Sequence, residues 1–166
     1  MTTIENEEPL VGPMDRPVVR AFMGEKANFY LTAFEKISAK KTSWNWPAFL
    51  LGIAWMCYRG MYRYAAIVAG TICVVTALEM AFGLPAVLGQ GFSMAVWVAF
   101  GLLGNWCYQR HVEREIAELD AKGLSDEELL SMAAEKGKPS VLMGFVGFFV
   151  FFAILWVLMM AIPVPG

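Results

Sequence analysis

Apolar and polar positions fall in long blocks along this chain. Tyr64–Leu84, Gly91–Tyr108 and Val141–Ile162 are almost wholly apolar and hold no Lys or Arg. Each lies within the ~17–25 residues that carry a helix across the hydrocarbon core, so three transmembrane helices are predicted. Gly83 and Pro85 mark the end of the first. Pro85–Gln90 is an uncharged turn that makes the first two an antiparallel hairpin. The second helix is expected to continue out of the bilayer, because Val112, Ile116 and Leu119 keep one helical face as far as Ala121-Lys122-Gly123. Ser125-Asp126-Glu127-Glu128 is a capping box opening a short helix to about Glu135, and Gly137–Ser140 breaks the chain again.

Two shorter patterns precede the spans. From Gly24, Tyr30, Ala33, Phe34 and Ile37 recur at helical spacing, which predicts an amphipathic helix for a bilayer surface or another protein segment. Trp46–Tyr58 is also apolar, but at ~1.5 Å per residue it reaches only roughly 20 Å. Lys40 and Lys41 precede it, and Arg59 and Arg63 follow it. A re-entrant or interfacial half-helix keeps both basic pairs on one side of the membrane. Pro47 suits its first turn, with Asn45 or Ser43 as the cap.

Charge orients this arrangement. All 13 basic residues lie in Met1–Arg63 or Gln109–Ser140. The Lys/Arg bias of short loops then predicts a cytoplasmic N-terminus and an outer C-terminus. The expected fold class is an all-α integral membrane protein with three transmembrane helices. An interfacial or re-entrant half-helix and short cytoplasmic amphipathic helices complete it. Its parts are a disordered tail (1–20), an amphipathic helix (21–42), the half-helix (43–63), a transmembrane hairpin (64–108), a cytoplasmic helical hairpin (109–140), and the third span with its tail (141–166). Hydrophobic residues make up 58% of the chain and charged residues 17%, which also favours an integral membrane protein. The first twenty residues lack a basic and an apolar region, so no cleavable signal peptide is expected. Cys57, Cys73 and Cys107 have no paired spacing and read as reduced, packed thiols.

Candidate chemistry is sparse. Glu79 is the one charged residue within a span, a proton or ion site or else a side chain reaching the outer headgroups, Ser93 or Thr76. Asn105 is placed to hydrogen-bond across to Thr71 or to the half-helix. His111 precedes Glu115 by one turn and is expected to form a salt link with it. Lys40, Lys41, Trp44, Trp46, Arg59, Arg63 and Arg110 form a band for lipid headgroups or a partner, with Arg59 and Arg63 on one face if a helix runs through them. Gly101-x-x-Gly104, Gly144-x-x-Gly147 and Ala66-x-x-x-Gly70 are small-residue patches for helix contact.

Three stretches resemble the bacterial family known as domain of unknown function 2628: Ala21–Tyr30, Ser43–Phe49 continuing through Trp55, Tyr58, Arg59, Met61 and Tyr62, and Gly104–Val112. Where that family often has Gly-Pro and Arg-Lys-Met-Tyr, this chain has Gly52-Ile53 and Arg59-Gly60-Met61-Tyr62, so a sharp bend at Gly52 is not implied. The resemblance implies a small bacterial inner-membrane protein and supplies no activity.

Catalytic triads, P-loops, HExxH and nucleotide fingerprints are missing from the sequence. The expected function is therefore a non-enzymatic accessory or adaptor protein of the bacterial inner membrane. It would use no cofactor, metal or nucleic acid, and its partners would be the lipid bilayer and a membrane protein or further copies of itself. The Phe-rich third span suits lipid or a neighbouring subunit. The alternatives are an oligomeric small transporter or channel using Glu79, or a lipid-binding, membrane-organising protein using the basic band.

Overall fold

The computed structural model describes residues 14–161. They form an all-helical fold in which a small cap sits at one end of three long apolar helices. The tail expected over 1–20 falls partly outside the described residues. Its last four positions are already helical: Pro17 opens α1 (Pro17–Met23), and Val18 and Val19 are buried. A left-handed Gly24 ends α1, and a 3₁₀ turn leads into α2 (Ala27–Ser38). The stripe of α2 buries Tyr30, Ala33 and Phe34 against α6, where the Tyr30 and Tyr108 rings lie 4.5 Å apart. The amphipathic face thus docks on protein.

The short apolar run is two helices, α3 (Trp46–Leu51) and α4 (Ile53–Tyr58), meeting at Gly52. At φ 50° and ψ −121°, Gly52 holds a backbone conformation that a Cβ would strain. The bend therefore needs no proline after the glycine, because glycine alone provides it. Each arm has six residues, about 9 Å long, so neither crosses a bilayer.

The elbow is clasped from two sides. α3 lies on α6 (Ala86–Asp120) at Gly104, and Trp44, just before α3, lies on it at Gly101. A Cβ on Gly104 would come within 2.6 Å of the Ala48 Cβ, and one on Gly101 within 2.5 Å of the Trp44 ring. α4 lies on α8 (Val141–Ala161) at Gly144 and Gly147. A Cβ on Gly144 would meet the Ala54 carbonyl at 3.3 Å, and one on Gly147 would overlap the Cys57 side chain. Both glycine pairs thus receive the elbow and are not contacts between long helices. The third patch does neither: Ala66 is exposed, and a Cβ on Gly70 would meet nothing.

The long helices are α5 (Tyr62–Phe82), α6 and α8, each long and apolar enough to cross a membrane. Left-handed Gly83 ends α5 and Pro85 caps α6, so the turn spans only Gly83–Pro85. It is shorter than the predicted Pro85–Gln90 because a helix starts immediately after a proline that needs no N–H partner. α6 then runs 35 residues, about 50 Å, from that turn into the cap.

The core is in the cap. Val112, Ile116 and Leu119 of α6 meet Val19, Phe22 and Met23 of α1, together with Tyr30, Trp55 and Met61. The predicted capping box opens α7 (Asp126–Lys136), with the Ser125 and Glu128 side chains satisfying each other's backbone. α7 closes on α1 where Gly137 abuts the Phe22 carbonyl too tightly for any side chain.

Overpacking a close helix contact costs about 1–3 kcal/mol. Gly104→Leu should therefore lift α3 off α6. Hydrogen exchange in detergent is expected to accelerate about tenfold or more over residues 46–58, while α7 keeps its protection. Unchanged exchange in the elbow would disprove the clasp.

Candidate functional site

Buried Ser43, Asn45 and Asn105 meet where the chain enters the elbow beside α6. Asn45 caps α3, its side chain accepting from the Ala48 N–H at 2.9 Å. Its own N–H donates to the Gly101 carbonyl at 2.8 Å, a bond within reach because position 101 has no side chain. The Asn45 amide then donates to Asn105 Oδ1 at 2.7 Å, and Asn105 Nδ2 donates to Ser43 Oγ at 2.9 Å. Asn45 and Asn105 are fully buried. Asn105 therefore reaches across to the half-helix. Thr71 instead bonds back to the Ile67 carbonyl of its own helix.

Arg59 departs furthest from the sequence expectation. The chain does not run helically through Arg59 and Arg63: α4 stops at Tyr58, Gly60 turns with φ 73°, and α5 starts at Tyr62. Arg63 is exposed, whereas Arg59 is only 7% exposed. Its guanidinium lies 4.7 Å from the Tyr30 ring centre, 5.3 Å from Tyr108 and 5.5 Å from Tyr58. Nη2 donates to the Tyr30 hydroxyl at 2.9 Å, and Nε has no hydrogen-bond partner. Burial pushes the Tyr30 phenol above its ordinary range although Arg59 draws it down, so Tyr30 stays neutral and supplies no counter-charge. Among the described residues, no carboxylate lies within ion-pair distance of Arg59. The rings favour a cation without neutralising it.

Other members of the predicted band remain at the surface. Lys40, Lys41 and Trp46 are exposed. Trp44 is half-buried over Gly101, and Arg110 pairs with Glu113 at 2.9 Å beside the Trp106 ring.

His111 is not the cationic half of a salt link. It is buried, with Nδ1 3.6 Å from Glu115. Burial lowers its pKa to about 4, and Arg114 and Lys136 push the same way against Glu115. Arg114 Nη2 faces Nδ1 at 3.3 Å and has only protons to offer, so the neutral ring carries its hydrogen on Nε2. Burial alone would raise Glu115, but bonds from Lys136 at 2.6 Å and Arg114 at 2.9 Å hold it below the usual carboxylate range. Lys136 thereby ties α7 to α6.

Glu79 reaches from α5 toward α6, where its carboxylate would lie 2.9 Å from a Cβ on Gly89. With Thr76 and Ser93 it lines a cavity of about 360 Å³ whose other walls are mainly apolar. Neither hydroxyl hydrogen-bonds to it among the described residues. No cluster of three or more metal-ligating side chains occurs among the described residues. Sequence spacing did not signal the roles of Tyr30 and Tyr108, since these rings, far from Arg59 along the chain, converge on it only through the fold.

A family model described as "Protein of unknown function (DUF2628)" matches residues 7–114, well over half of the chain. No curated protein and no solved structure matches.

Asn105→Ala would leave the Asn45 amide and the Ser43 hydroxyl unpaired in a buried site, a loss of about 1–3 kcal/mol. At about 2–4 °C per kcal/mol for a chain of this size, the thermal midpoint in detergent should fall by several degrees; an unshifted midpoint would contradict the network. The pH dependence has a definite sign. The folded pKa of His111 lies below its unfolded value of 6.5, so its contribution is complete above pH 6.5 and is lost as pH falls towards about 4. His111→Gln should flatten this part of a stability–pH curve. The loss linked to Glu115, whose folded pKa lies below 4.5, should persist at lower pH.

Proposed function

We propose that this chain, which belongs to the DUF2628 family of proteins of unknown function, is a non-enzymatic accessory protein of the bacterial inner membrane. Its role is that of a small subunit or adaptor within a larger membrane complex. The carrying observation is the continuity of α6, which joins a span to the cap in one helix of 35 residues. α1, α2 and α7 pack around its cap end, and the elbow locks onto it at Gly101 and Gly104. Such a cap stands at a fixed height and angle over the bilayer, as an adaptor needs.

The long helices complement this arrangement. None of the most apolar stretch of α8 is buried within the chain, and little of α5 is. Phe145, Phe149, Phe152 and Trp156 of α8 are exposed, as are Ile67 and Val74 of α5. These flanks are free for lipid or for the helices of another membrane protein. We place the cap in the cytoplasm, because exposed Lys40, Lys41, Arg63 and Arg110 all lie at its end of the spans.

Affinity purification from native membranes in mild detergent, with quantitative mass spectrometry, is expected to return a companion membrane protein in a fixed ratio. A monodisperse chain or a pure homo-oligomer, seen also after cross-linking in intact membranes, would overturn the adaptor role.

A further inference from the structure

We infer that the concave side of the elbow is a binding site for one anionic phospholipid of the surrounding bilayer, its phosphate held by Arg59. A groove of about 830 Å³ runs between α2, the two arms of the elbow and the start of α8. It is within the size range of small-molecule sites, roughly 300–1,000 Å³. Phe29, Leu51, Val141, Phe145 and Phe149 contribute apolar wall. The two cations that line it, Arg59 and Lys26, both belong to the cap. The α8 wall begins at the cap end of that helix and descends one face of it, through Val141, Phe145 and Phe148. A molecule filling this space needs a charged end at the cap and a hydrocarbon end along α8.

Arg59 supplies the sign of that charge. The side chain is more than nine-tenths buried, its Nε is unpaired, and no carboxylate stands beside it among the described residues. Buried cations ordinarily acquire an anion, because aromatic faces and one phenol do not repay the lost hydration. The planar guanidinium, fixed by Tyr30 through one nitrogen, retains donors suited to a phosphate. A phosphate diester with acyl chains meets both requirements. The bilayer presents it at this height, since Arg59 lies between the elbow and the first turn of α5.

Native mass spectrometry of the full chain released from detergent tests the site. Phosphatidylglycerol, phosphatidylcholine and inorganic phosphate are titrated in separate arms. One phosphatidylglycerol per chain is expected, with phosphatidylcholine at least about tenfold weaker and no retention of inorganic phosphate. Arg59→Gln should weaken phosphatidylglycerol about tenfold or more and remove the preference over phosphatidylcholine. Val141→Trp, at an exposed wall position, should displace the acyl chains while leaving the cap folded, and it decides the matter if Arg59→Gln fails to fold. Equal retention of the two lipids by the wild-type chain, or full phosphatidylglycerol binding in both variants, would overturn the assignment. Retention of inorganic phosphate alone would overturn it as well.

Discussion

Two long helices hold a bent short one through four missing side chains. At Gly101, Gly104, Gly144 and Gly147, a Cβ would approach or overlap the elbow or the Trp44 that leads into it. Close approach brings dispersion contacts along both arms and lets Asn45 reach the Gly101 carbonyl and Asn105. Those bonds are needed, because Asn45 and Asn105 are fully buried and an unpaired amide there would cost more than the contact returns. Packing and hydrogen bonding are thus one constraint: the first creates the distance at which the second is possible.

The remaining architecture follows from that clasp. With α3 fixed on α6 and α4 on α8, the end of α4 brings Arg59 beneath Tyr30 and Tyr108. The same placement lets the Ser140 N–H donate to the Tyr58 carbonyl, which fixes where α8 begins. The cap core then assembles on the far half of α6. The long helices pack little on one another, so the chain gains its burial beside the membrane more than within it. This differs from a bundle whose helices close around a central polar path, and it suits a protein that presents a surface.

Local patterns made much of this legible. Runs free of Lys and Arg marked α5, α6 and α8 to within a few residues, except that α6 began at Ala86, earlier than Gly91, directly after its N-cap Pro85. The Ser125 box and the Val112, Ile116 and Leu119 stripe stood out because capping and helical periodicity are short-range. Pairings over long separations were hidden. Spacing showed that Gly101 and Gly144 permit close contact, but not that both would receive the same short segment. The surroundings of Arg59 were hidden for a related reason: its charge suggests a headgroup, but the rings that enclose it come from Tyr30 and Tyr108, distant in sequence. The Gly52 bend looked unsupported without a proline, yet its positive φ needs only glycine. The candidate site was therefore readable as a set of residue types near the membrane, and its geometry was not.

The order of synthesis gives the elbow a particular history. Residues 46–58 leave the ribosome before either of their seats exists. The α6 seat arrives only when Gly104 has been made, and the α8 seat only with Gly147. Bringing these segments together closes long stretches of chain, an entropic cost met before any of the contacts form. Until then an apolar segment rich in Trp and Leu lies unsheltered next to the nascent hairpin. The headgroup region is the natural refuge for such a segment, since its Trp rings are at home there. The elbow therefore cannot complete its packing until Gly147 of α8 has been made. A truncated chain lacking α8 would lack half of what holds it.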